Sequence, residues 1–466
     1  MAYQLTDEFI SKLRNAIAAQ DESVLHYIFD DLHPADSADI LNQLEDEEAV
    51  EVYKFLPEET AAEVILLIDE DKREKILDRL SPKEIAEDII DNLASDDAAD
   101  VLGELEQHEQ DEVLAHVEDT EQAGDIVDLL NYDEDTAGGL MAKELVKVHL
   151  KNTVRACVKE LRHQAEEVKN IYTIYVVDDD EKLMGLLSLK NLLTVPLNTP
   201  IEQVYNPDII SVKTNTPSEE VAKLMDKYDL VVIPVVDGIN RLVGRITFDD
   251  MVDVIREETT EDVQKMGGVD ALDEPYMSTP YWQMIKKRAG WLVILFIGET
   301  FTATAMAHFE DQMKRAVILA TFIPLIISSG GNTGSQATSL IIRALSLGEI
   351  KVKDWWKIVS KELKVGIMLG IILGLIGVIR VFAWSFISDD PALTQHTTLI
   401  SVTIGITLVG VVAWGTLVGS VLPLFLKRIG LDPAASSAPF VATLVDVTGI
   451  LIYFSIAILF LNGILL

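Results

Sequence analysis

One carboxylate, Asp446, lies deep inside the apolar run Ser436–Phe460, SSAPFVATLVDVTGILIYFSIAILF. A charge at such a depth costs about 2.5–3.5 kcal/mol on insertion scales, so it is retained where it faces a bundle interior or a wet cavity and has work to do. Its neighbours Pro439, Thr443, Thr448 and Gly449 are small or helix-weak. Such residues let helices approach closely and can free backbone carbonyls where a cavity needs them. This chemistry suits a hydrated, hard divalent cation, because magnesium keeps most of its waters and needs few direct ligands. The stretch alone leaves two readings open, a cation pathway or a carboxylate paired with an Arg or Thr of a neighbouring helix. A second stretch, SSGGNTGSQATS at 328–339, is too polar and glycine-rich for a lipid face. It either lines a cavity, where Asn332 and Gln336 order waters, or packs small residues against a partner helix. Glu299, in a third apolar run, either pairs with Arg380 or lines the same pathway.

The other acids lie in a soluble front. Residues 281–466 hold 14 Lys and Arg against 10 Asp and Glu, and residues 1–280 hold the remaining 24 and 66. A nearly neutral hydrophobic back therefore follows a front of formal charge -42 within the chain's -38. Such a front repels nucleic acid and anionic surfaces and attracts cations; the plainer reading is solubility alone. The single cysteine, Cys157, excludes an internal disulfide and fits a reducing compartment. The opening MAYQLTDEF has no basic-then-apolar signal, which predicts a cytoplasmic first half.

Residues 1–137 read as a helical repeat. LHPADSADILNQL at Leu32, LPEETAAEVILLI at Leu56, LSPKEIAEDIIDNL at Leu80 and LASDDAADVLGEL at Leu93 share one plan. Each begins with Leu, a helix-starting Pro, Ser or Asp and an acidic first turn, then continues with apolar residues at helical spacing. Short helices that cannot bury a face alone stack into a superhelix. Glu63, Asp96 and Asp100 fall on its polar faces, where carboxylates are usually only solvated.

Gly138–Gly139 ends the pattern, and two similar units follow, one from Val146 through IYTIYVVDDD and LMGLLSLKN, the other from IISVKTNT through VVIPVVDGINRLVGRITFDD. A Val/Ile strand, an Asp turn, a strand carrying Gly185 or Gly244 and then a helix make up the shared plan. With PVVD, LVG and TFDD it resembles the CBS domain, and the tandem resembles a CBS pair. Such modules often bind adenine nucleotides such as ATP, with a Ser/Thr-x-x-Asp motif on the ribose. Thr247 and Asp250 match that motif, whereas the first unit has Ser188 and Asn191 and lacks the carboxylate. Either the second unit binds nucleotide or the pair serves dimerisation and ion sensing alone. An acidic connector follows, with Glu257, Glu258, Glu261 and Asp262 on one helix and Asp270, Asp273 and Glu274 beyond it.

Apolar runs near 291–309, 315–343, 365–388, 397–426 and 437–463 are each long enough to span the hydrocarbon, which takes about 20 residues. Basic residues gather at Lys286–Arg288, at Lys351–Lys364 and at Lys427–Arg428, which predicts the N-terminus inside and the C-terminus outside. The fold class is therefore multi-domain: an all-α N-terminal superhelix (1–137), an α/β tandem CBS pair (138–257), an acidic connecting helix (258–284) and a five-helix transmembrane α domain (285–466).

These pieces in this order, with GGNTGSQ and ATLVDVTG in the spans, resemble the MgtE family of magnesium channels over nearly the whole chain. The resemblance implies a homodimer in the cell membrane, with a pore on the two-fold axis lined by the second and fifth spans. It implies that Asp446 is the selectivity carboxylate, with backbone carbonyls at Ala442 and Gly449, the polar Asn332, and Asp432 as a cytoplasmic-side acid. It also implies closure by cytosolic Mg2+ at Asp96, Asp100, Glu219, Asp226, Asp229, Asp250, Asp253, Glu258, Glu261 and Asp262. Physically, a bridging divalent ion removes the repulsion between nearby carboxylates and favours the compact state. An intramembrane zinc protease needs His-Glu-x-x-His, and the sole His-Glu pair, His108–Glu109, has Glu112 where the second His belongs. A chloride pore favours donors over a central carboxylate. An ion-coupled divalent cation exchanger remains the alternative, with Glu299 as its candidate coupling site.

Overall fold

Helix starts are written into the first region. His33 caps Pro34–Gln43 by accepting from the Ala35 amide, with Pro34 at the first helical position. Glu45 with Glu48, and Ser81 with Glu84, close reciprocal capping boxes. The short helices between Asp7 and Leu129 bury Ile40, Leu41, Val52, Val64, Ile65, Ile89 and Ile90 completely. That core does not stop at the helical region, because Val212, Val235, Ile246, Met251 and Val254 of the second α/β unit join it. The computed structural model describes residues 7–19, 21–30, 32–164, 168, 171–272, 276–277, 279–388 and 390–465. It forms two units, Met1–Glu258 and Thr259–Leu466.

Among the described residues the two α/β units each contain a three-stranded sheet of the same design. In the first, β1 (Val146–His149) pairs parallel with β2 (Ile174–Val177), which pairs antiparallel with β3 (Leu183–Leu187). In the second, β4 (Val212–Lys213), β5 (Val232–Val236) and β6 (Leu242–Thr247) repeat that order. The expected Asp turns are real. The Asp178 carboxylate accepts from the Asp180 and Lys182 amides, and Asp237 accepts from Ile239 and Arg241. Tyr175, Val177, Leu183, Val236 and Leu242 bury one another across the pair.

The segment before β1 pairs with the second unit, since Ala137 and Gly138 amides donate to Thr216 and Thr214 carbonyls and Ala142 bridges Arg245. Close approach explains the glycine pair there: a Cβ on Gly138 would lie 2.5 Å from the Tyr132 ring, and one on Gly139 2.6 Å from the Asp133 carbonyl.

The connector is not one helix over 258–284. A helix starts with β6's own exit, runs Phe248–Met266, and stops at Gly267–Gly268, where Gly268 has φ +74°. Asp273 and Glu274 lie outside the described residues. Among the described residues five helices are long and apolar enough to cross a membrane: Tyr281–His308, Val317–Ser346, Val352–Ser385, Pro391–Arg428 and Ala438–Leu461. The first and third begin about ten residues before their apolar runs, because apolar composition marks the hydrocarbon and not the helix end. Glycines set the packing. Gly366, Gly370, Gly374 and Gly377 of the third span lie against Thr416, Val409, Gly405 and Leu408 of the fourth, a small-residue interface of the kind membrane helices use.

Candidate cation pathway and regulatory acids

The second and fifth spans are joined along their length. Ser335 donates to the Ala438 carbonyl at 3.0 Å, and the Tyr453 hydroxyl donates to the Leu319 carbonyl at 3.0 Å. Between these ties the two sequence motifs meet. A Cβ at Gly331 would stand 3.4 Å from Ala442 Cβ and 3.5 Å from Asp446 Oδ1. Gly330 and Gly334 press instead on the fourth span, where a Cβ at Gly415 would be 2.4 Å from the Gly330 carbonyl and one at Gly419 2.2 Å from that of Gly334. Trp414 Nε1 donates to Thr448 at 2.8 Å and fixes the fourth span to the fifth. The glycines of SSGGNTGSQATS thus serve packing.

Its amides do something else. Ser328, Asn332 and Gln336 recur every four residues on one face of the second span, and all three are exposed. Asn332 Nδ2 donates to Ser328 at 3.2 Å, which leaves the ridge polar along its length. Asp446 is half-buried beside Gly331. Glu299 of the first span is exposed, and its field reaches Asp446. Among the described residues Arg380 stacks over the Trp384 ring and forms no ion pair with Glu299. The fifth span is an unbroken helix, so the expectation of freed carbonyls is not met. The Ala442 and Gly449 carbonyls carry helical bonds and have one further lone pair each to offer. Gly449 itself is buried against Val411.

A second concentration of acids lies in the unit Met1–Glu258. The helix Ser95–Gly103 places Asp96 and Asp100 within electrostatic reach of both Asp97 and Asp250. Burial, then the fields of Asp97 and Asp250, raise the Asp96 carboxyl well above the usual carboxylate range. Asp100 keeps an exposed edge, yet burial and then Asp97, Glu134 and Asp250 push it up to about 7. Asp250 is also raised by burial, although Thr247 opposes this by donating both its hydroxyl (2.7 Å) and its amide (2.9 Å) to Asp250 Oδ2. That Thr-x-x-Asp contact is the start of the helix Phe248–Met266, and both of its bonds fall on one carboxylate oxygen. In the first unit Ser188 caps the next helix through the Lys190 amide, and Asn191 donates to the Val204 carbonyl.

The remaining expected ligands lie elsewhere. Glu219 is ion-paired with Lys223, Asp253 is 3.2 Å from Arg256, Asp226 is exposed, and Asp229 is an exposed left-handed helix cap at φ 50°. Glu258 is half-buried on the connector helix. Further along that helix Asp262 accepts from the Ser346 hydroxyl at 2.7 Å, at the end of the second span. Glu261 and Asp432 share one cation, Lys265, at 2.5 and 2.8 Å. Burial opposes the charge on Lys265, but its bonds to Asp432 and Glu261 outweigh that and hold its pKa above the ordinary lysine value. Among the described residues, no three His, Cys, Asp or Glu are drawn together tightly enough to hold a metal ion. Sequence reasoning missed Asp97, Glu134, Lys265 and Ser346; of these only Asp97, adjacent to Asp96, and Lys265, four residues after Glu261, carry a local signal.

Membrane-length, glycine-packed helices behind an acidic, CBS-like front are the architecture of a membrane transporter, and comparison with known proteins gives its class. The family model described as divalent cation transporter matches residues 323–456, the MgtE intracellular N domain matches 32–135, and the CBS domain matches 137–198 and 201–257. The magnesium transporter MgtE of Thermus thermophilus is 36% identical over 99% of this chain and 100% of its own length. That of Enterococcus faecalis is 34% identical over 72% of this chain and 71% of its own. The chain belongs to the MgtE family of magnesium transporters, a membrane family without catalytic chemistry. A solved cytosolic domain of the Mg2+ channel MgtE in complex with ATP is 35% identical and covers 53% of this chain and 99% of its own, with a TM-score of 0.49.

Proposed function

We propose that the protein is a homodimeric, Mg2+-selective channel of the cell membrane, closed by cytosolic Mg2+ acting on its acidic front. The observation that carries the pathway is the exposed polar ridge Ser328–Asn332–Gln336 beside the half-buried Asp446. Amides and a carboxylate cannot face hydrocarbon without a cost of several kcal/mol, so this face requires a polar or aqueous neighbour. A second copy related by a two-fold axis supplies both the cover and a second Asp446. Two carboxylates with waters between them hold a hydrated divalent ion, with Asn332 ordering those waters and the Ala442 and Gly449 carbonyls as further acceptors. The intermediate position of Asp432 by sequence, just before the fifth span, suits an acid at the cytoplasmic mouth. Lys286–Arg288, Lys351–Lys364 and Lys427–Arg428 favour an inside N-terminus and an outside C-terminus.

Regulation rests on the grouping of Asp96, Asp97, Asp100 and Asp250. These carboxylates repel one another, and a divalent ion among them stabilises the compact arrangement while its absence loosens it. Glu219, Asp226, Asp229, Asp253, Glu258 and Asp262 add further weak sites on the same reading, and Glu261 joins them only where Lys265 gives way. The Thr247–Asp250 contact supports one adenine nucleotide, such as ATP, at the second CBS unit. The closeness of Glu299 to Asp446 favours one rival, an exchanger that couples divalent ions to a second ion. Mg2+ flux into liposomes separates the readings. Asp446→Ala is expected to abolish flux, and wild-type flux is expected to follow membrane potential without a proton or sodium gradient. Undiminished flux through Asp446→Ala sinks the pathway; an obligatory counter-ion gradient sinks the channel.

A further inference from the structure

We propose that Lys265 is a built-in counter-ion that fastens the end of the connector helix to the mouth of the pathway, in the place a divalent ion would take between Glu261 and Asp432. The proposal rests on reading Asp432 as a mouth acid and deepens the account of closure. Lys265 Nζ is 2.5 Å from Glu261, one turn earlier on its own helix, and 2.8 Å from Asp432, which lies 167 residues further along the chain. The Lys265 side chain is only 28% exposed, so bulk water and salt screen the triad incompletely. Both oxygens of Asp432 have a partner: Oδ1 accepts from the Ala434 amide at 2.7 Å and Oδ2 takes Lys265. Two carboxylates sharing one ammonium carry a net charge of -1. A divalent ion that binds them must first displace the lysine, so this pair does not fit Mg2+ while Lys265 is in place.

The contact belongs to a longer seam on the Thr259–Leu466 unit. Asp262 accepts from Ser346 at 2.7 Å, and the left-handed Gly268 turn stands against Ser437 and Pro439 at the start of the fifth span. The chain then folds back, with the Leu272 amide donating to Gln264 at 2.6 Å and the Asp270 amide to the Lys287 carbonyl at 3.1 Å. A helix end held here by an ammonium stays docked with no ion bound at this pair. Mg2+ sensing then falls to the other acids, and the lysine sets how little Mg2+ closure needs.

Hydrogen exchange on the full chain in lipid nanodiscs tests this, reading the amides of Val269–Leu272 for wild type, Lys265→Gln and Lys265→Arg. In EDTA, Lys265→Gln is expected to exchange there about fivefold faster than wild type, the scale of a partly screened ion pair. Lys265→Arg is expected to stay near wild type, and millimolar Mg2+ is expected to restore protection in Lys265→Gln as it takes the vacated pair. Unchanged exchange of the five spans controls for folding. Wild-type protection in Lys265→Gln under EDTA overturns the proposal, and failure of Mg2+ to restore it overturns the substitution of lysine for a divalent ion. Liposome flux that ignores internal Mg2+, alongside faster exchange in Lys265→Gln, would retire the gating account and leave the counter-ion standing.

Discussion

The acid between the second and fifth spans and the acid cluster of the unit Met1–Glu258 use the same side chain in opposite ways. Asp446 stands with one other acid, Glu299, in reach, and glycines fix its position: Gly331 beside it, and Gly330, Gly334, Gly415 and Gly419 setting the helix spacing behind it. Asp96, Asp97, Asp100 and Asp250 stand together, with Glu134 and Glu144 adding their fields. A single charge held by close packing makes a binding position that does not depend on occupancy. Several charges that repel make an element whose shape depends on what neutralises them. Conduction needs the first kind of site and sensing needs the second.

That contrast can be broken by counting residues. Neutralising Asp250, Glu258 and Asp262 together is expected to raise the internal Mg2+ that half-closes the channel by about tenfold or more, which corresponds to about 1.4 kcal/mol of lost coupling. Any one of them alone should do much less, because the sites act jointly. Unchanged inhibition in the triple variant would remove the sensing account and leave the pathway intact.

Packing sharpens the comparison from the other side. Gly415→Ala puts a methyl 2.4 Å from the Gly330 carbonyl, and overpacking of this kind costs about 1–3 kcal/mol. A lower thermal unfolding temperature of the detergent-solubilised protein, with Mg2+ sensitivity of the surviving channels unchanged, is the expected outcome. A shift in Mg2+ sensitivity without loss of stability would show that the two regions are not separable in this way.

The smallest effect comes from protons. Asp100 is pushed up to about 7 and Asp96 is raised in the same direction. An acid with a raised native pKa penalises the folded arrangement when ionised. The penalty is full above about pH 7 and is relieved as pH falls towards the ordinary carboxylate range near 4. Protons and Mg2+ therefore supply the same relief. Lowering internal pH from about 8 to about 6 is expected to lower the half-inhibitory Mg2+ about threefold, measured by liposome flux. A rise would mean that neutralising these acids does not favour the closed arrangement.

Much of the fold could be read in the chain because its signals are local. Apolar length gave the five spans, and the repeated strand, Asp turn and strand gave the paired units. Asp446 stood out because a charge interrupts an apolar run. What escaped depends on backbone or distance. The pairing of residues 137–142 with the second unit is made by backbone amides that any sequence offers. The Lys265–Asp432 contact joins positions 167 apart, and the local Glu261–Lys265 spacing is common on exposed helices. The glycine series Gly366, Gly370, Gly374 and Gly377 went unread, because only the packed fourth span shows what it is for. The connector's end at Met266 follows from Gly267–Gly268, a pair no stronger in sequence than Gly138–Gly139.

The most direct test of the pathway asks what covers the ridge on the second span. Asn332→Cys in a Cys157→Ala background, reconstituted in liposomes and exposed to a mild oxidant, should form a covalent dimer between two copies and block Mg2+ flux, with reductant restoring it. A cysteine at 332 that stays monomeric and is labelled instead by a lipid-soluble thiol reagent would place that face in the bilayer and contradict a pore between two copies.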